Sequence, residues 1–208
     1  MLPWGAYFRH CMFFYFFLFC FLIYFFVYNC CFFILQHLDV FFYYLRKKAK
    51  VCPSSVISFV TADTLFHQTI EREYADYLKD GEFNFGFEKL ISQYILGETI
   101  LYGKPWVDVD DILFPIHIKT QEHWVLGRLN IKNRCFYVYN SLRSARGDAL
   151  VLEVVKSYSE LLPLYFEKFD FFDGRNDIDR VKGPYANKKA SDAFLIKMVD
   201  DLPQQSTK

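Results

Sequence analysis

One histidine and one side-chain amide are spaced so that they can form part of a catalytic site. His123 precedes an apolar run, Trp124–Ile131, and Asn140 ends a second run that begins at Arg134. If the two runs pair as a hairpin, Val125 faces Asn140, and His123, two positions earlier, lies on the same sheet face as Asn140. Diagonal neighbours of this kind are within side-chain reach. A histidine held by an amide is the base and the orienting partner of a nucleophilic triad, so the pair predicts covalent catalysis.

The elements that must position this pair are three runs rich in β-branched and aromatic residues, which predict strands. They are Ile112–Ile118, Trp124–Ile131 and Arg134–Asn140. The break between the last two is Lys132-Asn133, which predicts a two-residue turn with Asn133 at positive φ. A slip of one residue would put His123 and Asn140 on opposite faces, so the catalytic prediction depends on this turn.

Helices are predicted on either side of these strands. Apolar residues recur at helical spacing in Thr64–Lys79, with Asp63 or Thr64 as the N-cap and Gly81 just past the end. The other predicted helices are Phe87–Leu96, closed by Gly97, and Ser144–Leu162, with Ser144 as its cap. Residues 163–172 predict a strand or a packed loop, and Ala193–Val199 predicts a further strand.

Four blocks of sequence, in this order, resemble the Ulp-type ubiquitin-like-protein (SUMO) specific cysteine protease family. They are Asp111-Ile-Leu-Phe-Pro-Ile-His117, His123-Trp-Val-Leu126, Tyr137-Val-Tyr-Asn-Ser-Leu142 and Asp201-Leu-Pro-Gln-Gln205. The resemblance covers about residues 60–205 and is greatest to the plant, transposon-associated branch. It implies an α+β, papain-like fold over residues 63–208 that is incomplete at the C-terminus.

The resemblance also implies a role for each site residue. His123 corresponds to the catalytic base, and Asn140 occupies the position of the aspartate that orients it. Gln205 corresponds to the glutamine of the oxyanion hole, with Gln204 as the second candidate. Trp124 is expected to pack in the core on the face opposite His123 and to roof the channel for the substrate's Gly-Gly tail, since glycine has no Cβ to strike a flat ring.

The nucleophile of the family lies in an Asp-Cys-Gly block that follows these glutamines, whereas this sequence ends at Lys208 before any such block. Cys135 faces away from His123 in the predicted hairpin, and Cys52 precedes Pro53 in a predicted loop. We therefore expect a cysteine-type peptidase by descent, hydrolysing peptide or isopeptide bonds after a Gly-Gly tail, that is inactive as written. The alternative is a non-enzymatic remnant, membrane-anchored or not, that binds a ubiquitin-like protein.

Composition limits the other partners and ligands. The formal net charge is zero, so the charge balance does not predict binding to nucleic acid. The six cysteines lack the paired spacing of zinc sites, and no metal or cofactor is expected. His67 and His117 are interpreted as structural, and Asp200-Asp201 as an exposed acidic pair. The predicted partner is a SUMO-type ubiquitin-like protein or its precursor, and the oligomeric state is left open.

The first 50 residues differ from the rest, because they hold 13 of the 25 phenylalanines. Residues 11–28 are all apolar, and after Asn29 the run continues to Leu35, which is long enough to span a bilayer as a helix. Basic residues at 46–50 predict a cytosolic C-terminal domain after this single span. The alternative is translated non-coding T-rich DNA, which would leave a nuclear or cytoplasmic protein. In both cases residues 1–50 are expected to lie outside the protease fold, with 51–62 as a linker.

Overall fold

The computed structural model describes residues 31–51, 58–81, 86 and 89–205, with side chains from His37 onward. These ranges hold four α-helices and five strands, the predicted α+β class. In chain order they are α1 (Cys31–Val51), β1 (Phe59–Thr61), α2 (Thr64–Asp80), α3 (Leu90–Leu96), β2 (Asp111–Ile118), β3 (His123–Asn130), β4 (Cys135–Tyr139), α4 (Ala145–Lys168) and β5 (Leu195–Met198). Short 3-10 turns lie at 106–108, 119–121, 171–174 and 183–185.

The five strands form one mixed sheet in the order β1-β2-β3-β4-β5. β2, β3 and β4 are antiparallel neighbours, whereas β1 runs parallel to β2 and β5 runs parallel to β4. Ile118 pairs with His123, and Asn130 pairs with Cys135. The predicted pairing of β3 with β4 is therefore confirmed.

The turn between β3 and β4 differs in detail from the prediction. Pairing stops at Asn130 and Cys135, and Arg134, not Asn133, has the positive φ of 48°. Asn130 Oδ1 accepts the Asn133 N–H at 2.8 Å, and the Ile131 carbonyl accepts the Arg134 N–H at 3.1 Å. The side chain of Asn130, at the end of β3, stabilises this turn. The strand register is therefore the predicted one, although Arg134 and not Asn133 has the left-handed conformation.

Helices α2 and α4 cover one face of the sheet. Phe114 and Phe136 on this face stack with 5.6 Å between ring centroids. Tyr158 of α4 and Phe66 of α2 pack against Phe114 at 5.2 and 5.3 Å. Gly127 lies beneath them, and a Cβ added there would come within 2.7 Å of the Phe136 ring. The buried aromatic rings fix which face of each strand points toward the helices.

The predicted helices begin and end at their capping residues. Asp63 caps α2 by accepting the Phe66 N–H at 3.0 Å, and Gly81 ends that helix in the left-handed conformation. Ser144 caps α4 by accepting the Gly147 N–H at 3.0 Å. In α3 the described helix begins at residue 90, and residues 87–88, where it was predicted to start, lie outside the described part of the chain.

The prediction of a strand or packed loop for residues 163–172 is wrong for 163–168, because α4 continues through Pro163 to Lys168, whereas 169–172 form a turn and the start of a 3-10 segment, as a packed loop would. A proline inside a helix removes one N–H donor and disturbs the preceding turn. Tyr165 and Phe166, which follow it, are both completely buried in the core. Burial of two aromatic side chains outweighs the lost hydrogen bond, so the helix is extended by a further turn.

Helix α1 crosses the domain boundary that was predicted at residue 50. Residues from Asp39 onward form one compact unit with the sheet, so the second half of α1 belongs to that unit. Arg46, expected in the basic flank of a membrane span, is only 6% exposed. It donates to Thr61 Oγ1 at 2.6 Å and to the Leu101 carbonyl at 3.0 Å. A guanidinium tolerates such burial when its N–H groups find acceptors.

The segment predicted as a linker is structured at both ends. Val51 is the last residue of α1, and residues 59–61 form β1, while 52–57 lie outside the described residues. Asp39 of α1 also accepts the Thr64 N–H at 3.0 Å and the Thr64 hydroxyl at 2.8 Å. Among the described helices none is both long and apolar enough to cross a membrane. Residues 11–30 of the predicted span lie outside the described part, so membrane attachment stays a prediction.

Candidate active site

His123 and Asn140 meet at the end of the sheet where β3 begins and β4 ends. His123 is the first residue of β3 and is 8% exposed, and Asn140 follows β4 and is completely buried. The imidazole Nε2 lies 2.9 Å from Asn140 Oδ1. Both side chains lie on the face that α2 and α4 cover, so the predicted shared face and contact are confirmed.

The amide of Asn140 has one favourable orientation. Its Oδ1 accepts the Leu142 N–H at 2.9 Å, and its Nδ2 donates to the Leu142 carbonyl and to Asp148 Oδ1, both at 3.1 Å. The reversed amide would place its oxygen against two acceptors and its NH2 against a backbone N–H. Because Oδ1 faces Nε2, the neutral imidazole of His123 carries its proton on Nε2 and has its lone pair on Nδ1. Nδ1 is therefore the atom that can accept a proton.

The surroundings of His123 favour its neutral form. Burial lowers the pKa of His123 below its ordinary value of 6.5, the hydrogen bond to Asn140 raises it, and repulsion from His117 lowers it again. The net direction is downward, so the imidazole is neutral at pH 7. The neutral imidazole is the form that a general base requires.

Trp124 lies on the opposite sheet face from His123, where it stacks on His117. These two residues are cross-strand partners, with 4.5 Å between ring centroids and 21° between ring planes. Both side chains are half-buried, so the expected packing of Trp124 in the core is wrong. The reason is that α2 and α4 pack against the other face. The Trp124–His117 pair instead forms a flat, partly exposed surface beside the strand end that carries the imidazole.

His67 connects α2 to the same end of the sheet. It is 2% exposed, its Nε2 accepts the His117 N–H at 3.2 Å, and its Nδ1 lies 2.9 Å from the Tyr158 hydroxyl. Since Nε2 accepts, the proton lies on Nδ1 and is donated to Tyr158. Burial lowers the pKa of His67 to about 4. His67 is thus a neutral core histidine that holds β2 at the position of His117.

A sequence profile decides the family. The model of the Ulp1 protease family, C-terminal catalytic domain, matches residues 34–208. The chain belongs to the Ulp1 protease family. The match begins within α1, in agreement with the attachment of that helix to the sheet domain. No curated protein matches the chain.

Solved Ulp1 structures are similar to the chain at low sequence identity. The C-terminal Ulp1 protease domain in complex with Smt3, the yeast ortholog of SUMO, is 19% identical with a TM-score of 0.44, over 80% of this chain and 55% of that chain. SUMO protease Ulp1 with its catalytic cysteine oxidised to a sulfonic acid is 18% identical, with a TM-score of 0.41 over 79% and 56%. The Ulp1-like SUMO protease catalytic domain of Chaetomium thermophilum is 20% identical, with a TM-score of 0.29 over 56% and 42%. The chain spans about half the length of these solved chains.

Within this Ulp1-family domain, the two glutamines after β5 differ in how their side chains are used. Gln204 Oε1 accepts the Arg143 N–H at 2.9 Å, and its Nε2 donates to the Leu202 carbonyl at 3.0 Å. Gln205 is held by its backbone N–H, which donates to the Ser141 carbonyl at 2.7 Å, while its side chain is exposed. The amide of Gln205 is therefore free to turn toward a reacting carbonyl, whereas that of Gln204 is occupied.

Cys135 is the cysteine whose side chain the structure describes, and it lies away from the candidate site. It pairs with Asn130 on the sheet face opposite His123. Asn130 and His123 are the two ends of β3, which is about 23 Å long. Burial raises the pKa of the Cys135 thiol, which disfavours the nucleophilic thiolate. The other five cysteine side chains lie outside the described part of this Ulp1-family chain, within which no group of ligands could hold a metal.

The structure adds two charged residues to the site that the sequence did not single out, Arg143 and Asp148. Arg143 Nε donates to Asp148 Oδ2 at 2.8 Å, and its Nη1 lies 3.4 Å from Asp200 Oδ1. Asp200 is 79% exposed, as predicted for that acidic pair. The sequence did hold a signal, because Ser144 as the cap of α4 places Asp148 in the first helical turn, beside the end of β4.

Proposed function

We propose that this chain carries the base side of a cysteine-peptidase site for ubiquitin-like proteins of the SUMO type. In this site His123 is the general base, Asn140 orients it, Gln205 donates to the oxyanion, and Trp124 contacts the Gly-Gly tail of the partner. By descent the reaction is hydrolysis of the peptide or isopeptide bond after that tail. The 208-residue chain itself is proposed to bind such a partner without cleaving it.

The observation that supports this proposal most strongly is the 2.9 Å contact between His123 Nε2 and Asn140 Oδ1. It leaves the lone pair on Nδ1, and the hydrogen bond found for this ring among the described residues is the one through Nε2. A histidine that only stabilises the fold, such as His67, has partners on both ring nitrogens. An oriented, neutral imidazole with one unused nitrogen is what proton transfer requires.

In a complete site of this kind, Nδ1 takes the proton of a cysteine thiol, and the thiolate attacks the carbonyl carbon of the last glycine of the Gly-Gly tail. The imidazolium then gives the proton to the leaving amine, which leaves a thioester. Water, deprotonated by Nδ1, hydrolyses this thioester, and the released thiolate takes the proton back. The side-chain N–H of Gln205 would stabilise the oxyanion by about 3 kcal/mol. Loss of a nucleophile that acts together with its base costs roughly a million-fold in rate. Cys135, the cysteine whose side chain is described, lies on the sheet face opposite His123 and cannot take this role, which supports the proposal of binding without turnover.

The Trp124–His117 pair is the proposed contact for the partner's tail. Its rings are stacked and half-buried, so they present a flat surface that is already fixed in orientation. Two consecutive glycines can approach such a surface closely because they have no side chains. The partner's tail would then pass from this surface toward His123, the residue next to Trp124.

Nuclear magnetic resonance can test the partner directly. A ¹⁵N-labelled SUMO-type protein ending in Gly-Gly is titrated with the unlabelled 208-residue chain, and the same protein without its last two glycines serves as the comparison. We expect shifts in the tail resonances and weaker binding after removal of the glycines. Trp124→Ala should weaken binding about tenfold, because a tryptophan at the centre of a contact contributes much of the affinity. Leu101→Ala, which truncates a side chain that is 73% exposed, is the matched control.

The absence of turnover is tested with a SUMO-type probe that carries a vinyl sulfone in place of the terminal carboxylate. We expect no covalent adduct by mass spectrometry. An adduct on any of the six cysteines would overturn the proposal of binding without cleavage. Equal binding of the proteins with and without the terminal glycines would overturn the proposed role of the tail.

A further inference from the structure

The carboxylate of Asp148 lies one side chain behind the contact between His123 and Asn140. Its Oδ1 accepts from Asn140 Nδ2 at 3.1 Å, and its Oδ2 accepts from Arg143 Nε at 2.8 Å. Asp148 comes from the first turn of α4 and is 21% exposed, whereas Asn140 is completely buried. The described chain therefore places a carboxylate, an amide and an imidazole in one line of hydrogen bonds.

The amide in the middle of this line uses all its hydrogen-bonding capacity. Oδ1 accepts from His123 and from the Leu142 N–H, and Nδ2 donates to the Leu142 carbonyl and to Asp148. An amide is neutral, so Asn140 by itself orients the imidazole but adds no negative charge next to it. The carboxylate behind it supplies that charge, and hydrogen bonds to ionised acceptors are stronger than those to neutral ones.

We propose that Asp148 is a positioning residue of this site, which acts through Asn140 to fix His123 as the Nε2–H tautomer and to stabilise its protonated form. The proposal rests on the proposed function and deepens it, because Asp148 can position a base only if His123 is that base. The hydrogen-bond line itself does not require catalysis. It can be tested on a chain that never cleaves a substrate.

A merely structural role for Asp148 is also physically reasonable. A carboxylate in the first turn of a helix interacts favourably with the helix dipole, and its ion pair with Arg143 closes the junction between β4 and α4. Both roles predict a loss of stability when Asp148 is replaced. They differ in what happens at the imidazole, so the state of the His123 ring is the measurement that separates them.

The charged and titratable groups around His123 come from three parts of the fold. His117 of β2 points to the opposite sheet face but is close enough to repel the protonated ring, Arg143 and Asp148 lie on either side of the Ser144 cap of α4, and Asp200 follows β5. Two hydrogen bonds separate the Asp148 carboxylate from Nε2, a distance of roughly 7 Å, and a unit charge there changes an acid constant about threefold even at the dielectric constant of water. Removing the charge of Asp148 should therefore make His123 about threefold more acidic, or more.

The experiment is a pH titration of ring ¹⁵N and ¹³C resonances in the full chain labelled at histidine. In the native protein we expect His123 with a protonated Nε2 and an unprotonated Nδ1. Asp148→Asn should make His123 at least about threefold more acidic and add a fraction of the Nδ1–H tautomer. Asp148→Glu keeps the carboxylate and should restore most of the native titration. Asp200→Asn removes an exposed carboxylate that also pairs with Arg143 but does not touch Asn140, and it should leave the titration unchanged.

Two results would overturn the proposal. One is a native protein in which neutral His123 carries its proton on Nδ1. This measurement needs no variant, so it tests the proposal even if the Asp148 variants fail to fold. The other is an Asp148→Asn protein, folded by its amide spectrum, whose His123 titrates as in Asp200→Asn. A failure to bind a SUMO-type protein would affect the proposed function alone, because the tautomer measurement does not depend on any partner.

Discussion

Replacement of His67 by glutamine should remove a specific sensitivity of this domain to acid. The imidazole of His67 is 2% exposed, and burial lowers its pKa to about 4 from an ordinary value of 6.5. Its Nε2 accepts the His117 N–H. A proton added to Nε2 would therefore point at another N–H group, and this hydrogen bond would be lost. The folded state therefore holds this ring neutral, while the unfolded chain protonates it readily.

The sign of the effect follows from proton counts. Between pH 6.5 and about pH 4 the unfolded chain binds more protons at His67 than the folded chain does, so the free energy of unfolding falls as the pH is lowered through this window. Above pH 6.5 this histidine adds no pH dependence. A shift of about 2.5 pKa units corresponds to roughly 3 kcal/mol, which is a large part of the stability of a domain of this size.

The assay is urea unfolding of the native chain and of His67→Gln at pH 7.5, 6, 5 and 4. Glutamine can accept the His117 N–H and donate to the Tyr158 hydroxyl without titrating. We expect the native chain to have the higher free energy of unfolding at pH 7.5. Between pH 7.5 and pH 4 its free energy of unfolding should fall by about 3 kcal/mol relative to that of His67→Gln. Tyr158→Phe is the control, since it removes the partner of Nδ1, lowers stability at every pH, and leaves the acid dependence in place. Parallel curves for the native chain and His67→Gln would refute this reasoning.

Three further substitutions test the packing that positions the site, each by the free energy of unfolding in urea. Gly127→Ala should cost about 1–3 kcal/mol, because the added methyl group meets the Phe136 ring at 2.7 Å, and a change below 0.5 kcal/mol would contradict the close fit. Asp111→Ala should cost about 2–3 kcal/mol, because it leaves Arg128 without its two hydrogen bonds at 2.8 and 2.9 Å, whereas Arg128→Met in the same background should recover part of the loss. Ser144→Ala should cost about 1 kcal/mol by removing the cap of α4, with Ser144→Asp as the variant that keeps a cap, and equal stability of the two would count against capping.

The strand register could be predicted because one face of the sheet is buried. Phe136 and Val138 must face α4, so alternation alone decides that Asn140 lies on the same face. The identity of the turn residue at positive φ could not be predicted in the same way, because Asn133 and Arg134 both allow the same pairing. Register is a property of the whole ladder, whereas turn geometry depends on local hydrogen bonds such as that of Asn130.

The remaining errors arose where long-range contacts outweigh local pattern. A proline normally marks the end of a helix, but α4 continues past Pro163 because the aromatic side chains that follow it are buried in the core. Arg46 stands in a basic run that is typical of a solvated flank, yet its buried side chain donates to acceptors that lie 15 and 55 residues away in sequence. Trp124 was expected in the core because large aromatics usually lie there. The alternation of the strand predicts the correct sheet face for Trp124. It does not show that α2 and α4 cover the other face and leave Trp124 partly exposed at the end of the sheet.

The attachment of α1 determines where this polypeptide can be cut. A fragment that starts at residue 52 would lack Asp39 and Arg46, so the Thr64 N–H at the start of α2 and the carbonyl of Leu101 would each lose a hydrogen-bond partner. Hydrogen bonds to charged groups contribute about 1.5–3 kcal/mol each, so the loss of both would lower the free energy of unfolding of the domain. A recombinant protein intended for biochemistry should therefore begin upstream of Asp39, although the apolar stretch before Asp39 would suggest a start near Pro53.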